Sequence, residues 1–390
     1  MNKADNLVRL GVIGVGNMGS THARNILSGE LSRCALTAVC DHRAEHLTAF
    51  PQVPHFANGS ELIRSGQVDA VLIVTPHYDH TVTGIEALQQ GLHVLVEKPI
   101  SVHKADCQRL IAAHTNPRQV FAAMFNQRCF LSHLKVRELI RSGELGEIRR
   151  IHWTITNWFR TEAYYASGGW RATWAGEGGG VLLNQCPHNL DLLQWFFGLP
   201  ARVRGFCRFG RYHDIEVEDD VTAYFEYPNG ATGVFIASTG EAPGVNRLEI
   251  AAENGRLVLE NDVLAFTKNE IPMTEFSRAS EQGFARPATH ESQFTFAQHG
   301  GQHEVIVQNF VNAILDGVPL IAPAEEGIHS VELANAILLS SFQDRAIQLP
   351  LDAAEFENYL KTELIPSSRF SGKVTKRLAG ASDFAQSFGR

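Results

Sequence analysis

The chain has 390 residues, of which 44% are hydrophobic and 19% charged, values of an ordinary globular protein whose length favours two domains. Its net charge of −8 argues against a nucleic-acid partner, and no run approaches the roughly 20 apolar residues of a membrane span, so no membrane partner is expected. Six sparse cysteines without a CxxC pair and the lack of a signal-peptide core after Met1 indicate no metal site or disulfide framework, and they favour a cytoplasmic location.

A glycine-rich turn follows the first predicted strand. Residues 8–14 form an apolar run that leads into a G-x-G-x-x-G motif at residues 14–19, and a helical pattern continues to about Leu27. Between a strand and a helix, this motif predicts a dinucleotide site with the pyrophosphate at the helix N-terminus. An ordinary glycine-rich turn is the alternative. The residues expected to contact the cofactor here are Gly14, Gly16, Asn17, Met18 and Gly19.

Asp41 ends the second predicted strand, about 20 residues after the glycine motif, where dinucleotide-binding folds place an acid. A carboxylate at this position accepts hydrogen bonds from the adenosine ribose and repels a 2′-phosphate, which favours NAD as the cofactor over NADP. Arg43 leaves NADP open, because a nearby guanidinium can accommodate a 2′-phosphate. The alternative is that Arg43 stacks on adenine or faces solvent.

Three further predicted strands alternate with helices. Residues 70–74, 93–96 and 120–125 are apolar runs, and helical patterns separate them. This alternation predicts a parallel, doubly wound sheet. Because ligands of such sheets bind at the carboxyl ends of the strands, the residues that follow each run are cofactor candidates. They are Thr75, Pro76, His77, His80, Glu97, Lys98 and Asn126.

Lys98 is the candidate with the clearest chemistry. It follows a strand of this sheet, so it is expected to lie near the nicotinamide. An ammonium group there can hold a substrate hydroxyl and stabilise the alkoxide that forms from it. A surface lysine in a turn is the alternative, because most lysines are exposed.

The second half of the chain has a different pattern. Two pairs of short strands flank the turns Asn229-Gly230 and Asn254-Gly255, which predicts an antiparallel sheet. Residues 269–302 show no pattern, and the polar tail after Pro366 is expected to be loose. The other expected elements are a strand over residues 148–159 and helices over residues 132–142, 304–315 and 327–343.

The loop over residues 160–178 carries aromatic side chains beside hydrogen-bond donors, among them Tyr164, Trp170 and Arg171. This combination suits a ring that bears hydroxyls, as in a sugar. Plain core packing is the alternative, and it accounts equally well for Trp174. It accounts less well for Trp170 and Arg171, which follow two glycines in a loop.

The segment over residues 178–197 is the candidate catalytic centre. Three glycines at residues 178–180 let the backbone approach closely, and an apolar pattern of helical period follows. Asn184 and His188 are four residues apart, so on a helical turn they would point the same way. We interpret His188 as the acid/base of an enzyme. A buried core histidine is the alternative, but it would leave the glycines and Asn184 unexplained.

With these motifs in place, the chain resembles the glucose–fructose oxidoreductase / inositol dehydrogenase / MocA family over most of its length, to about Leu351. The resemblance is carried by the glycine motif at residues 14–19, by Glu97-Lys98-Pro99 and by the glycine-rich segment that leads to His188. It implies an α/β fold with a doubly wound Rossmann sheet and a second α+β domain built on a large, mostly antiparallel sheet. The expected domains are residues 1–127 and residues 128–390.

The resemblance also implies hydride transfer between NAD and a secondary carbinol of a cyclic sugar or cyclitol, with Lys98 and His188 as the catalytic pair. Many family members carry an aspartate at the position of Asn184. Since an amide cannot take a proton, Asn184 is expected to position the substrate. Residues 170–177 and 183–188 look most like the levoglucosan dehydrogenases and related glycoside 3-dehydrogenases, which favours oxidation at C3. The expected substrate contacts are Lys98, Asn126, Arg128, Tyr164, Trp170, Arg171, Asn184 and His188.

Other interpretations stay open. An inositol is the second substrate class among the dehydrogenases. A hydrolase that uses tightly held NAD for the transient oxidation of a glycoside, and a non-catalytic sensor of NAD(P), are the alternatives from other classes. The resemblance further implies a homo-oligomer, either a dimer or a tetramer.

Overall fold

The computed structural model of the protein describes residues 7–296 and 303–368, which form two sheets with helices around them. Within these two ranges, no helix is both long enough and apolar enough to cross a membrane. The predicted loose tail after Pro366 lies almost entirely outside the described residues.

The strands are β1 Val8–Ile13, β2 Cys34–Cys40, β3 His55–Phe56, β4 Ala70–Ile73, β5 His93–Val96, β6 Phe121–Ala123, β7 Ile148–Ile155, β8 Arg202–Phe209, β9 Glu218–Glu226, β10 Thr232–Ser238, β11 Asn246–Ala252, β12 Gly255–Glu260, β13 Val263–Asn269, β14 Thr289–Thr295 and β15 Ile347–Gln348. The helices are α1 Asn17–Leu27, α2 Ala44–Leu47, α3 Gly59–Arg64, α4 His77–Gln89, α5 Lys104–Ala112, α6 Leu131–Arg141, α7 Glu162–Tyr165, α8 Pro187–Phe197, α9 Met273–Ala279, α10 His303–Asp316, α11 Gly327–Gln343, α12 Ala353–Tyr359 and α13 Ile365–Ser367.

The first sheet has six parallel strands in the order β3-β2-β1-β4-β5-β6. Its central strand β4 is buried along its whole length, as expected of a strand with helices on both faces. Side chains alternate between the two faces along each strand, so neighbouring residues pack into different apolar clusters. Ile73 and Val96 lie in the cluster on one face, and Leu72 and Leu95 lie in the cluster on the other. The predicted parallel, doubly wound sheet is confirmed.

The second sheet has nine strands in the order β14-β13-β12-β11-β7-β10-β9-β8-β15. Within the described ranges, β7 and β10 are its one parallel pair, and the remaining neighbours are antiparallel. The two Asn-Gly turns join β9 to β10 and β11 to β12, because asparagine and glycine adopt the tight turns that hairpins need. The predicted mostly antiparallel sheet is confirmed.

One face of the second sheet carries the helices α8 and α11. Leu190 and Leu193 of α8 and Leu338 of α11 are buried in the same apolar cluster as Val203 and Phe225 of the sheet. The observed bounds of α11 are those that the sequence predicted. This packing fixes α8, and therefore the residues at its N-terminus, relative to the sheet.

Several elements of the second domain were not predicted from the sequence. The region over residues 269–302, which showed no pattern, contains α9 and β14 in its described part. Six of the seven residues of β14 are exposed, so the strand has no apolar alternation that a pattern could reveal. The strand predicted over residues 148–159 ends at Ile155, and β8, β13 and β15 were not predicted.

Helix α10 joins the first sheet although it follows the second sheet in the chain. Ile306 and Phe310 are buried in the same apolar cluster as Val8 and Leu10 of β1. The chain that follows α10 also contacts this sheet, because the N–H of Ala123 in β6 donates a hydrogen bond to the carbonyl oxygen of Ala322 at 3.0 Å. Helix α10 and the chain to Ala324 thus pack against the first sheet, although they follow the predicted boundary at residue 127 in the sequence, and the domain bounds remain a prediction.

Candidate active site

The glycine motif forms the turn between β1 and α1. A Cβ atom at Gly19 would lie 1.8 Å from the carbonyl oxygen of Gly14, so only glycine lets the helix approach the turn this closely. The N-cap residue Gly16 provides no side-chain cap, and nothing lies within 4 Å of the position of its absent Cβ. Asn17 and Met18 begin the helix. The open space and the uncapped N–H groups fit the pyrophosphate of a dinucleotide.

Asp41 is buried and directed back at the glycine turn. Its carboxylate accepts hydrogen bonds from the backbone N–H groups of Val15 at 3.0 Å and of Arg43 at 2.9 Å. Nδ1 of His46, a residue that the sequence analysis did not select, lies 3.1 Å from the same carboxylate. These contacts hold the carboxylate beside the turn and leave part of its acceptor capacity for a ribose hydroxyl. The side chain of Arg43 is exposed.

His80, predicted to contact the cofactor, supports two loops instead. Its ring nitrogens lie 2.8 Å from the carbonyl oxygens of Pro99 and Thr75. Because both nitrogens are occupied, we correct its assignment: His80 joins the loops that follow β4 and β5. Thr75 and Pro76 do lie at the carboxyl edge of the sheet, and Oγ1 of Thr75 is buried without a hydrogen-bond partner in the described part of the chain.

Glu97 anchors α1 to the end of β5. Its carboxylate accepts a hydrogen bond from Nε2 of His22 at 2.9 Å and another from the N–H of Lys98 at 3.1 Å. Burial disfavours the ionised carboxylate, but the hydrogen bond and the charge of His22 lower the pKa of Glu97 to about 2. Both oxygens are used within the protein, so we correct the predicted cofactor contact of Glu97 to a supporting role. His22 was missed, because its partner lies far away in the sequence.

Lys98 links the first domain to the segment that precedes His188. Its Nζ donates a hydrogen bond to the backbone carbonyl of Asn184 at 2.9 Å. Burial lowers the pKa of Lys98, the charges of Glu97 and Glu177 raise it, and nearby arginines lower it. The surface-lysine alternative does not hold, because this ammonium group lies where the two domains meet.

His188 lies in the first turn of α8 and is 9% exposed. Its Nδ1 is buried and has no hydrogen-bond partner among residues 7–296 and 303–368. Burial lowers the pKa of His188 well below the usual range of histidine, and the positive charge of Lys98 lowers it further. The ring is therefore neutral. The alternative of a core histidine does not fit, because the nitrogens of such a residue would be hydrogen-bonded.

The glycine-rich segment before α8 is held by Glu218 of β9, which the sequence analysis did not select. The carboxylate of Glu218 accepts hydrogen bonds from the N–H groups of Gly180 at 2.9 Å and Leu182 at 3.0 Å. Burial raises the pKa of Glu218 to about 7. A Cβ atom at Gly180 would lie 2.0 Å from the carbonyl oxygen of Glu218, so glycine is required for this contact.

Asn184 does not lie on the same helix as His188, because α8 begins only at Pro187 and residues 181–185 form turns. The expectation that helical spacing aligns the two side chains was therefore wrong. The side-chain amide of Asn184 is instead part of a polar network. Its Oδ1 accepts hydrogen bonds from the hydroxyl of Tyr164 at 3.2 Å and from Nε2 of Gln185 at 2.9 Å, and its Nδ2 donates a hydrogen bond to Glu177.

The predicted aromatic loop closes over this network. The guanidinium of Arg171 donates a hydrogen bond to the hydroxyl of Tyr164 at 2.8 Å and lies 4.8 Å from the ring centroids of both Tyr164 and Trp170. The Trp170 ring meets that of His77 edge to face at 5.6 Å, and Nδ1 of His77 lies 3.2 Å from the carbonyl oxygen of Glu177. The loop of the second domain is thus attached to the carboxyl edge of the first sheet.

Arg128 has a structural role, which corrects its predicted substrate contact. Its guanidinium is 1% exposed and binds both carboxylate oxygens of Asp191 in α8, at 2.6 and 2.7 Å, and also Glu326. All of its nitrogens therefore bind protein groups. Asn126 lies nearby in the helical turn that follows β6 and is buried at the carboxyl edge of the first sheet.

Known proteins share both domains. Residues 8–124 match the model of an oxidoreductase family with an NAD-binding Rossmann fold, and residues 133–258 match the GFO/IDH/MocA C-terminal domain. The chain is 23% identical to the myo-inositol 2-dehydrogenase of Thermotoga maritima, over 88% of this chain and 98% of that protein.

Solved structures show the same arrangement. The WlbA dehydrogenase of Bordetella pertussis, in complex with NADH and UDP-GlcNAcA, is 25% identical, with a TM-score of 0.75 over 89% of this chain and 100% of that one. Levoglucosan dehydrogenase, in complex with NADH and L-sorbose, is 19% identical, with a TM-score of 0.74 over 89% of this chain and 100% of that one, and this likeness supports the fold alone. The glycine turn, the Asp41 carboxylate and the two matched domains agree, and the chain belongs to the Gfo/Idh/MocA family of NAD-binding oxidoreductases.

Proposed function

We propose that this protein oxidises a secondary hydroxyl of a cyclic sugar or cyclitol to a ketone with NAD, and that His188 is the base and Lys98 assists. The observation that carries the proposal is the buried, neutral imidazole of His188, whose Nδ1 has no partner in the described ranges. The charge of Lys98, at the carboxyl edge of the dinucleotide-binding sheet, acts on this ring. A neutral base beside a cation is the pair that the removal of a hydroxyl proton requires.

In the proposed reaction, the imidazole of His188 takes the hydroxyl proton. Its pKa lies below the usual range of histidine, so the ring is unprotonated at neutral pH and has a nitrogen that can take up the proton. Lys98 uses one of its N–H groups on the carbonyl of Asn184 and has two more for the substrate oxygen, whose negative charge it stabilises. NAD supplies the hydride acceptor when bound, and the glycine turn and Asp41 would hold it.

We favour a pyranose or glycoside similar to levoglucosan as the substrate, oxidised at C3. The rings of Tyr164 and Trp170 and the donors of Arg171 offer the apolar faces and the hydrogen bonds that a sugar ring needs. The sugar nucleotide UDP-GlcNAcA, bound by the WlbA dehydrogenase, supports a sugar as the substrate class. An inositol is the second candidate, and the match to a myo-inositol 2-dehydrogenase over 88% of this chain favours it.

The test is the initial rate of nicotinamide reduction with NAD⁺ and with NADP⁺ on levoglucosan, glucose, methyl glucosides, sorbose, and myo- and scyllo-inositol. Turnover on a pyranose supports the favoured substrate, and identification of the product gives the oxidised carbon. Turnover on an inositol alone supports the second candidate. Bound NAD⁺ with glycoside cleavage and no NADH release would point to a hydrolase, and cofactor binding without turnover to a sensor.

Replacement of Asp41 tests the preference for NAD. We expect Asp41→Ala to lower the ratio of kcat/KM for NAD⁺ over NADP⁺ by about 10-fold or more, because it removes a charged acceptor of the ribose and the repulsion of a 2′-phosphate. The measurement is the pair of kcat/KM values on the best substrate. Arg43→Gln tests the alternative that Arg43 accommodates the 2′-phosphate of NADP⁺. A lower kcat/KM for NADP⁺ in Arg43→Gln, together with an unchanged ratio of kcat/KM values in Asp41→Ala, would assign the cofactor preference to Arg43.

We also propose that the protein is a homo-oligomer, either a dimer or a tetramer. The face of the second sheet that lacks α8 and α11 exposes aromatic side chains: Phe206 is 54% exposed and Tyr224 39% exposed. Exposed aromatic residues on a sheet suit contact with a second copy. Light scattering during gel filtration measures the mass, and the mass of a monomer would contradict the proposal.

The cysteines support a cytoplasmic location, which we propose as the compartment. All six are free thiols in the structure. Burial raises the pKa of Cys34 to about 11 and that of Cys40 to about 12, so these thiols stay protonated and unreactive. Fractionation of the source cells would test the location.

A further inference from the structure

Glu177 is a buried carboxylate to which the proposed reaction assigns no part. It lies directly before the three glycines of the catalytic segment and is 2% exposed. One carboxylate oxygen accepts a hydrogen bond from the N–H of Ala172 at 2.7 Å, and the other accepts one from Nδ2 of Asn184. A carboxylate that is buried in this way needs these partners. Ala172 belongs to the aromatic loop over residues 160–178, and Asn184 belongs to the turns that precede α8.

The second of these contacts, with Nδ2 of Asn184, determines which way the amide of Asn184 points. A carboxylate accepts hydrogen bonds only, so the amide nitrogen must face Glu177 and the amide oxygen must face the opposite side. There the oxygen receives the hydroxyl hydrogen of Tyr164, which in turn accepts a hydrogen bond from Arg171. Glu177 therefore fixes the direction of a chain of hydrogen bonds that ends at the aromatic loop.

Glu177 also acts on Lys98 through its charge. The backbone carbonyl that binds Nζ of Lys98 belongs to Asn184, whose side chain binds Glu177. The negative charges of Glu97 and Glu177 favour the protonated form of Lys98, whereas burial and the arginines disfavour it. Four charged groups change the pKa of Lys98, namely Glu97, Glu177, Arg160 and Arg171. The charge of Lys98 in turn lowers the pKa values of His77, His188, Cys186 and His303.

We propose that Glu177 is the positioning residue of this active site: it orients the amide of Asn184 and supplies the negative charge that keeps Lys98 protonated. The inference rests on the proposed function, in which a protonated Lys98 stabilises the alkoxide. Burial raises the pKa of Glu177, so the charge is present above that pKa and is lost as the pH falls through it. Glu177 does not take the substrate proton, which goes to His188.

Three variants separate orientation from charge. Glu177→Gln keeps the shape of the side chain but replaces one acceptor oxygen by an NH₂ donor. Because both partners of Glu177 are N–H groups, the new donor either faces another donor or forces the amide of Asn184 to turn over. Asn184→Asp places two buried carboxylates side by side. The double variant Glu177→Gln/Asn184→Asp restores a complete set of hydrogen bonds, because the new glutamine accepts from Ala172 and donates to the new aspartate.

We expect each single variant to lose about 10-fold in kcat/KM, because each leaves a buried polar group without its partner. The double variant should return to within about threefold of the wild-type enzyme, because the two contacting positions are coupled. Glu162→Gln, an exposed carboxylate in the same loop, is the matched control and should behave as the wild type. A double variant that is no better than the single ones would overturn the proposal.

The protonation of Lys98 is measured separately from turnover. Trace labelling of the full-length apoprotein with acetic anhydride over a range of pH, read by mass spectrometry, gives the pKa of the Lys98 amine. We expect a lower pKa in Glu177→Gln than in the wild type, since a negative charge is lost, and the alkaline limb of kcat/KM should move to lower pH with it. A loss of activity that is equal at every pH, with an unchanged labelling profile, would reduce Glu177 to a purely structural residue and overturn the proposal.

Turnover and lysine labelling together separate a failure of the proposed oxidation reaction from a failure of the role of Glu177. If the wild-type protein turns over no sugar or inositol, the proposed function fails, but the labelling profile of Lys98 still reports the influence of Glu177. If the wild-type enzyme is active and the labelling profiles of wild type and Glu177→Gln coincide, the proposed function stands and the role of Glu177 is wrong.

Discussion

His188→Ala is expected to lower kcat by about 10²- to 10⁴-fold, the usual contribution of a general base, while leaving the affinity for NADH unchanged. The reason is that the imidazole takes the substrate proton, whereas the glycine turn and Asp41 would hold the cofactor. Steady-state kinetics on the best substrate of the panel give kcat, and fluorescence titration gives the NADH affinity.

His290→Ala is the matched control for this experiment, because the side chain of His290 is 76% exposed and lies on the edge strand β14. It removes an imidazole of the same size and should leave kcat unchanged. Wild-type turnover in His188→Ala would show that another group takes the proton. A loss of NADH binding together with turnover would show instead that His188 supports the cofactor site.

Arg128→Leu is expected to lower the free energy of unfolding by about 3–5 kcal/mol, the cost of leaving one charge of a buried pair without its partner. Asp191 is 1% exposed and would keep its carboxylate in the core, with Gln194 as its remaining partner at 3.1 Å. Denaturant unfolding followed by circular dichroism measures the loss. The double variant Arg128→Leu/Asp191→Leu should regain most of the stability, because it removes both charges.

Arg150→Leu is the matched control, since the side chain of Arg150 is 48% exposed and forms an ion pair with Glu249 on the second sheet. Exposed pairs of this kind contribute about 0–1 kcal/mol, so the change should be small. If Arg128→Leu unfolds like the wild type and raises KM for the substrate, the structural role is wrong and the predicted substrate contact of Arg128 is right.

The sequence was informative wherever the signal is local. The glycine motif, the apolar runs of the first sheet and the two Asn-Gly turns each depend on residues that are neighbours in the chain, and each was predicted in the right place. Helix α11 was predicted at its observed bounds for the same reason. Strand β14 was missed, because its position depends on pairing with β13 and its own residues are exposed.

The site shows the same division. Lys98 and His188 could be selected from their motifs, but what surrounds them could not. His22, Glu177 and Glu218 make their contacts through the fold, and their partners are not marked by any spacing along the chain. Asn184 was selected for an alignment with His188 that the start of α8 excludes, and its observed partner is a carboxylate in the preceding loop.

Helix α10 has a consequence for the order in which the protein can form during synthesis. The first sheet emerges from the ribosome early, but the apolar side chains of β1 that α10 covers stay exposed until residues 306–311 have been made. Nearly the whole second sheet is synthesised in that interval. The N-terminal half therefore completes its core only after its partner domain exists, and a ribosome that stalls between the two leaves a chain with an open apolar face for chaperones to bind.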